Sequence, residues 1–368
     1  MSATYGGRNN AKRNQHENRG VRRRKAFPHG GQLRHVQKRQ MHDEEIREHL
    51  RLVGGKQKVK VSLIDFDNTG FPNLALMKIS ANEKQCGNEV KFYEPLFDKP
   101  DLVYMSKVFK FNKFSIPNVP GVQIYAGGTG FDWGQLQDEM NSDHSPDRIS
   151  IGTRNKLTDE QEHICPDYSL YGINYSIGFI TRGCIRKCEF CIVPSKEGAI
   201  RFNAPIEEFQ RHKKVVLLDN NILACEEGID ELYKISKTDT KIDVNQGLDF
   251  RLVDDSIAEL LAKLKWIRYV RASCDSDAVF ERVKKSVEAL KSKGIKPYRI
   301  FCYTLVKGEN DVQRILELDK LGIQVFAMGY MNFKTGKKSQ IIKDICRWCN
   351  RKEIFKSEKN FTKYRGRK

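Results

Sequence analysis

Three cysteines, Cys184, Cys188 and Cys191, stand in a C-x3-C-x2-C spacing inside the stretch Arg182-Gly183-Cys184-Ile185-Arg186-Lys187-Cys188-Glu189-Phe190-Cys191. Thiolates this close on one loop can wrap one face of an iron–sulfur cube. Such clusters usually take four cysteines, and the local set stops at three, which leaves one iron of a cube without a protein ligand. An open metal position is what a catalytic site needs and a structural site avoids, a contrast that zinc centres also show. Zinc knuckles and scattered structural thiols are the other sources of such triplets. A second pair, Cys346 and Cys349, forms Cys-Arg-Trp-Cys. It reads either as half of a zinc or second cluster site, with Cys165 and Cys302 as candidate partners, or as part of a helix over 340–351 that packs its thiols and Trp348.

The elements that must position the triplet can be read from apolar runs. Strands are expected over 175–180, 215–219, 241–246, 267–273, 298–305 and 323–327, and helices begin near Pro205, Leu223, Asp254, Asp277 and Asn310. Six βα-type repeats predict a parallel sheet curved into a partial barrel, short of the eight units of a closed one, with its site at the carboxyl ends of the strands. That rule puts the cysteine loop after the first strand. It nominates Asp219-Asn220-Asn221 after the second, the segment Asn245-Gln246-Gly247-Leu248-Asp249-Phe250-Arg251 after the third, Arg271 and Ser273 at the fourth, and Lys307-Gly308-Glu309 after the fifth. For each of these residues singly, a salt bridge or packed contact at the rim is the plain structural alternative.

The triplet, the aromatic Phe190 before its last cysteine, the preceding strand and the repeats after it resemble the radical S-adenosylmethionine (SAM) superfamily. The resemblance implies a [4Fe-4S] cluster on Cys184, Cys188 and Cys191, whose open iron chelates the amino and carboxylate groups of SAM and whose electron cleaves the C–S bond. It further implies cofactor contacts from Phe190 near the adenine, from Asp219 and Asn220 where the SAM amino group is usually held, and from Gln246, Asp249 and Arg251. The segment holding these last three looks like the polar third-strand segment of the methylthiotransferase and cobalamin-dependent branches. Arg271 and Ser273 would face the carboxylate or ribose, and Lys307 would lie in the turn beside the adenine. The usual Gly-Gly-Glu after the second strand is absent. SAM presents a carboxylate, an ammonium, ribose hydroxyls and an adenine, so its site needs a cation, acceptors and a stacking wall. Arg271 or Arg251 can serve the carboxylate bidentately, and Asp219 or Asp249 can accept from the ammonium or ribose. Ile192 to Arg201 also resembles the stretch after the cluster in radical SAM tRNA-modifying enzymes, with Lys196 and Arg201 as nearby cations. An electron donor such as flavodoxin or ferredoxin is implied.

Upstream, Val59 to Ile64 reads as a strand, a helix follows from Pro72, and further strands are expected over 89–93, 101–105 and 122–126. The pattern predicts a small doubly wound α/β domain, with any ligand crevice at the carboxyl ends of its strands. Placed before a radical SAM core, it resembles the cobalamin-binding-like domain of several radical SAM families. The Asp-x-His-x-x-Gly stretch that supplies a histidine to cobalamin is missing, and the only histidine of the region, His144, sits in a polar loop over 138–158. Bound cobalamin is therefore not expected. Gly127-Gly128-Thr129-Gly130 is a turn or a weak phosphate cradle.

The net charge of +18 is segregated. Residues 1–57 carry 14 Lys/Arg against 5 Asp/Glu, and residues 332–368 carry 13 against 3, leaving the middle near neutral. Charge placed this way is a footprint for a polyanion, or else a solubilising tail. Residues 1–40 hold almost no apolar side chains and are expected to be disordered, with one short amphipathic helix over 42–53. The ten cysteines and the absence of any apolar span predict reduced thiols in a cytoplasmic protein. The domain reading is thus a basic tail over 1–57, a Rossmann-like domain over 58–150, a linker over 151–172, the partial barrel over 173–331 and a basic segment over 332–368. The function expected is a radical SAM enzyme that modifies a nucleic acid such as tRNA. The alternatives are one that acts on a protein or small metabolite, and a non-enzymatic zinc or iron–sulfur nucleic-acid-binding protein. No residue is assigned to the substrate step.

Overall fold

A computed structural model describes residues 58–110, 112–131, 157–331 and 336–366. The basic N-terminal tail, the helix expected over 42–53, His144 and most of its polar loop lie outside the described residues. Residues 58–368 form one compact unit.

Its first sheet has the order β2-β1-β3-β4 and is parallel throughout, built from β1 Lys60–Asp65, β2 Glu89–Phe92, β3 Leu102–Ser106 and β4 Gln123–Gly127. Every residue of β3 is buried, as a central parallel strand covered on both faces requires. Helix α1, Leu74–Gln85, begins where the Asn73 side chain accepts from the Leu76 amide at 3.3 Å, relieving one of the unpaired N–H groups of the first turn. The doubly wound expectation is corrected in part. Among the described residues, β2 joins β3 and β3 joins β4 without a helix, so α1 is the one helical crossover. The Gly-rich turn is a packed corner, since the Gly130 amide donates to the Lys107 carbonyl at 2.8 Å and Lys107 Nζ donates to the Gly130 carbonyl at 2.9 Å.

The second sheet follows the chain in order. Strands β5 Ser176–Gly178, β8 Lys214–Leu217, β9 Lys241–Val244 and β10 Lys265–Trp266 are parallel, as are β11 Val270–Ser273, β12 Ile300–Val306 and β13 Gln324–Gly329. A parallel bridge between Leu248 and Ala272 joins the two groups, with the Leu248 amide donating to the Arg271 carbonyl at 2.8 Å. Of the strand expected over 267–273, Val270–Ser273 forms β11 on β12, while the short β10 on β9 precedes it at Lys265–Trp266. A minor antiparallel pair, β6 Thr181–Arg182 with β7 Arg201–Phe202, lies between β5 and β8.

Helices cover one face of this sheet. They are α5 Glu226–Ser236, α6 Asp255–Lys263, α7 Phe280–Ser292 and α8 Asp311–Lys320. Leu232, Leu261, Val287 and Leu318 meet Val215, Leu217, Ile242, Val244, Val270, Ala272, Ile300 and Cys302 in the main core. The helix expected near Pro205 is a single turn, α4 Ile206–Phe209. Three C-terminal helices, α9 Gln340–Asn350, α10 Lys352–Ser357 and α11 Phe361–Gly366, pack Ile345, Trp348, Phe355 and Phe361 against Val306 and Ala327. On the edge of β13, Asn350 accepts from the Ala327 amide at 2.7 Å and donates to its carbonyl at 2.9 Å, occupying the pairing groups of that residue.

The stretch after residue 157 is a packed connector. Its helix α2, Asp159–Glu162, starts with a Thr158–Gln161 capping box. Asp167 accepts from Ser80 and Lys84 at 2.6 Å each, and Tyr171 donates to Asp65 Oδ2 at 2.6 Å. Leu74 and Met77 of α1 pack with Ile177, Tyr168 and Leu170, so the two sheets share an apolar seam. Among the described residues no helix is long and apolar enough to cross a membrane.

Candidate metal centre

The cysteine loop is a closed excursion whose two ends are zipped by β6 and β7, with Thr181 opposite Phe202 and Arg182 opposite Arg201. Gly183 lets the ends approach. Its φ is +83°, and a Cβ there would lie 2.1 Å from the Ala199 carbonyl oxygen. The Cys184 amide then reaches the Gly198 carbonyl at 3.3 Å. Within the loop the Cys191 amide bonds the Cys188 carbonyl at 3.0 Å, and a single helical turn, α3 Val193–Lys196, follows.

Two anchors hold the base of the loop. Asp219, at the end of β8, is wholly buried and accepts from the Thr181 amide at 2.5 Å, the Thr181 hydroxyl at 2.7 Å and the Ile180 amide at 3.3 Å. Burial pushes its carboxyl up to about 6, with the Thr181 and Ile180 bonds pulling the other way. Arg182 pairs with Glu162 and, at 3.3 Å, with Glu197, while its guanidinium stacks 3.7 Å from the centroid of the Phe179 ring. Glu162 also meets the buried Lys78 of α1 at 3.3 Å, so one charged chain runs from the first sheet through the connector to the loop.

All three cysteines carry free thiols, with Cys184 and Cys188 half-buried and Cys191 exposed. The Cys184 sulfur accepts from the Arg186 amide at 3.3 Å and from Asn221 Nδ2 at 3.4 Å. Burial pushes the Cys188 thiol up, opposed by the nearby Arg251 guanidinium, and Cys184, Cys191 and Asp275 all lie within electrostatic reach of it. Asp249 ties the floor together. It accepts from Arg251 Nε at 2.6 Å, Arg251 Nη2 at 3.0 Å, Arg186 Nε at 2.9 Å and Asn221 Nδ2 at 3.4 Å. Burial works against its charge, but the bonds from Arg251 and Arg186 outweigh it and hold the carboxyl below the usual carboxylate range.

Among the described residues, the buried Asn221 Oδ1 atom has no hydrogen-bond partner. An orphaned buried acceptor costs about 1–3 kcal/mol, and here it belongs to the same amide that donates to the Cys184 sulfur. Hydrogen bonds to sulfur are one of the means by which a protein sets the potential of an iron–sulfur cluster. Three thiols on one loop, N–H donors to one of their sulfurs, a cation beside them and an unmet acceptor together fit a cluster with a donor-bearing ligand. Among the described residues no His, Cys, Asp or Glu set converges at the distances of a single metal ion.

The expected residues therefore divide. Cys184, Asp249 and Arg251 are linked through Asn221, while Cys188, Cys191 and the half-buried Phe190 lie on the same loop as Cys184. Asn220 is half-buried beside Asn221, and Ser273 is half-buried at the end of β11. Asp219 lies beneath the loop as a positioning residue. The fork of Arg271 is filled by Asp243, at 2.6 and 2.7 Å, and its remaining nitrogen donates to the Tyr303 hydroxyl at 2.8 Å. Gln246 is exposed in the turn after β9. Lys307 is exposed after β12, its Nζ 5.9 Å from the centroid of the Tyr330 ring. Lys196 and Arg201 are exposed as well, with Arg201 Nη1 donating to the Glu197 carbonyl at 2.7 Å. Sequence reasoning passed over Arg186 and Asp243. Arg186 sits inside the cysteine loop, and Asp243 interrupts the apolar run of β9, which is the usual mark of a buried polar residue with a partner.

Cys346 and Cys349 lie one turn apart on α9. Cys349 is buried in the C-terminal core, where burial pushes its thiol up to about 12, and Cys302 is buried in the main core. No protein-family model matches the chain, and no curated protein matches it.

Proposed function

We propose that the chain is a radical SAM enzyme, with Cys184, Cys188 and Cys191 as ligands of a [4Fe-4S] cluster and a nucleic acid such as tRNA as the modified substrate. The fold reading that goes with it is a partial barrel in the second sheet and a Rossmann-like first sheet. The observation that carries the proposal is the loop itself: three free thiols at the carboxyl end of β5, beside a buried Asn221 oxygen that lacks a donor among the described residues. When bound, the cluster would supply one electron to SAM, releasing methionine and a 5′-deoxyadenosyl radical able to abstract hydrogen from a substrate.

The protein's own part is to bind, orient and exclude water. Asn221 Oδ1 can accept from the ammonium of SAM while its Nδ2 keeps Cys184 in place. Arg251 and Arg186 share the single Asp249 carboxylate, so the group keeps a net positive charge for the SAM carboxylate, and the pairing fixes its position. Phe190 offers an aromatic wall for the adenine. Asp219, Gly183 and Arg182 keep the loop from shifting as ligands enter. The basic ends of the chain support the nucleic-acid substrate, and an electron would come from a flavodoxin- or ferredoxin-like donor.

Anaerobic reconstitution with iron and sulfide, followed by dithionite and SAM, tests the reading. Formation of 5′-deoxyadenosine is expected, and Cys188→Ala should lose both this product and the visible absorbance of the cluster. Cluster-level iron and sulfide without any 5′-deoxyadenosine would overturn the SAM reading, and unchanged absorbance in Cys188→Ala would overturn the ligand assignment.

A further inference from the structure

The second sheet has two faces of different character. Along β11, β12 and β13, Val270, Ala272, Ile300, Cys302 and Ala327 face the helices. The alternate residues on these strands, together with Tyr269 just before β11, form the opposite face. There Phe301 is the hub, with its ring centroid 5.2 Å from Tyr269, 5.2 Å from Tyr303 and 5.9 Å from Phe326. Phe326 is 38% exposed and its neighbour Met328 is 37% exposed. None of these five side chains belongs to a hydrophobic core cluster among the described residues. Single exposed apolar residues are ordinary, but four rings in contact on an open strand face are a platform.

Cations border it. The Arg268 guanidinium sits 4.7 Å from the centroid of the Tyr269 ring. Lys352 donates at 2.8 Å to Gln324, which stands opposite Phe301 in the strand register. The adjoining C-terminal segment over 336–366 holds ten Lys/Arg against three Asp/Glu. Arg271, 5.7 Å from the Phe301 ring, is paired with Asp243. The platform also leads somewhere. The next row toward the carboxyl ends pairs Leu305 with Met328, and the Leu305 amide donates at 3.0 Å to Asp275. The Leu248–Ala272 bridge sets β11 beside the segment that carries Asp249, whose carboxylate pairs with Arg186 of the cysteine loop at 2.9 Å.

Aromatic rings on strands with basic rims suit unpaired bases, because every base has a face to stack and every linkage a charge to neutralise. We propose that Tyr269, Phe301, Tyr303 and Phe326 form a base-stacking platform that holds a single-stranded or looped nucleic acid on the way to the cysteine loop. This rests on the nucleic-acid reading given above.

The test uses the full chain and two single-stranded RNAs of about a dozen nucleotides, a span within the usual range of such sites. One carries 2-aminopurine, whose fluorescence falls on stacking, and the other is abasic with the same phosphate charge. The intact strand should be quenched and should bind about tenfold more tightly than the abasic one. Phe326→Ala should weaken the intact strand about tenfold, in line with the loss of one stacked base, with little change for the abasic strand. Phe326→Tyr keeps the ring and should retain binding. Because Phe326 is exposed, the alanine variant should melt with the wild type; if it does not, the tyrosine variant against Phe326→Leu makes the same comparison. Equal affinity for intact and abasic strands, or undiminished binding by Phe326→Ala and Phe326→Leu, would overturn the platform and leave the basic ends as the binding element. No binding of either strand near about 50 mM salt would overturn both the platform and the nucleic-acid substrate, pointing to a protein or small-molecule substrate. The production of 5′-deoxyadenosine is read separately and is untouched by either result.

Discussion

Asp219 shows how a carboxylate can serve a thiol loop from beneath it. Its folded pKa of about 6 lies above the 3.8 of an unperturbed Asp, so between these values the folded chain holds a proton that the unfolded chain has lost. The stability contributed by that proton is fully present below about pH 4 and is lost as pH rises through about 6. At pH 7 the group is ionised, and the Thr181 hydroxyl makes a charge-assisted bond to it. Thr181→Val, which keeps the shape and deletes that donor, should cost about 1.5–3 kcal/mol at pH 7 and nearer 0.5–1.5 kcal/mol at about pH 5. Urea denaturation at both pH values measures the difference. Equal losses would mean that the carboxyl has the same protonation state at both. The role of Arg271 was less legible. Its position at a strand end could be read from the chain, but its partner Asp243 lies on another strand, and which carboxylate fills the fork depends on how β9 and β11 come together, which no local pattern encodes. Asn221 was visible as a polar residue after the second strand. That its amide would split between the Cys184 sulfur and an unmet oxygen could not be seen without the packed site.

Elements were the most legible level. Parallel strands buried on both faces read as unbroken apolar runs, and such runs placed the strands of both sheets to within a few residues, except the two-residue β10 at Lys265–Trp266, which no expected strand covered. The helix starts expected at Pro72 and near Asp254 are kept, with Asn73 accepting from the Leu76 amide at 3.3 Å and Asp254 from the Ile257 amide at 2.9 Å. The helix start expected near Pro205 gives the single turn Ile206–Phe209, whose Phe209 ring packs so close to Gly178 that a Cβ there would come within 2.5 Å of it. The loop carrying the thiols owes its shape to a similar close approach at Gly183. Gly183→Ala should therefore be costly twice over, through a left-handed φ disfavoured by about 1–2 kcal/mol and through collision with the Ala199 carbonyl. Gly198→Ala provides the internal control, because its φ of +79° carries the same backbone penalty with no atom within 4 Å of the added Cβ. After reconstitution, Gly183→Ala should hold clearly less iron per chain than Gly198→Ala. Equal iron contents would show that the close approach does not shape the ligand loop.

At the scale of the whole molecule, charge and scaffold are separated. The first 57 residues carry 14 Lys/Arg and 5 Asp/Glu, while residues 58–368 form a compact unit of their own. Composition reveals this division, but it does not say whether the charge contacts a polyanion or only keeps the chain dispersed. Salt dependence separates the two, because each phosphate neutralised releases counterions and steepens the fall of affinity with salt by a little under one power of concentration. If the N-terminal cations engage tRNA, the chain lacking residues 1–57 should bind it with a log–log slope shallower by roughly 3 to 6, and the gap between the two proteins should close as salt rises. Filter binding over a range from about 50 to about 200 mM salt reads this directly. Identical slopes would assign the N-terminal charge to dispersal and leave the C-terminal helices and the aromatic face of the second sheet as the surfaces that meet nucleic acid.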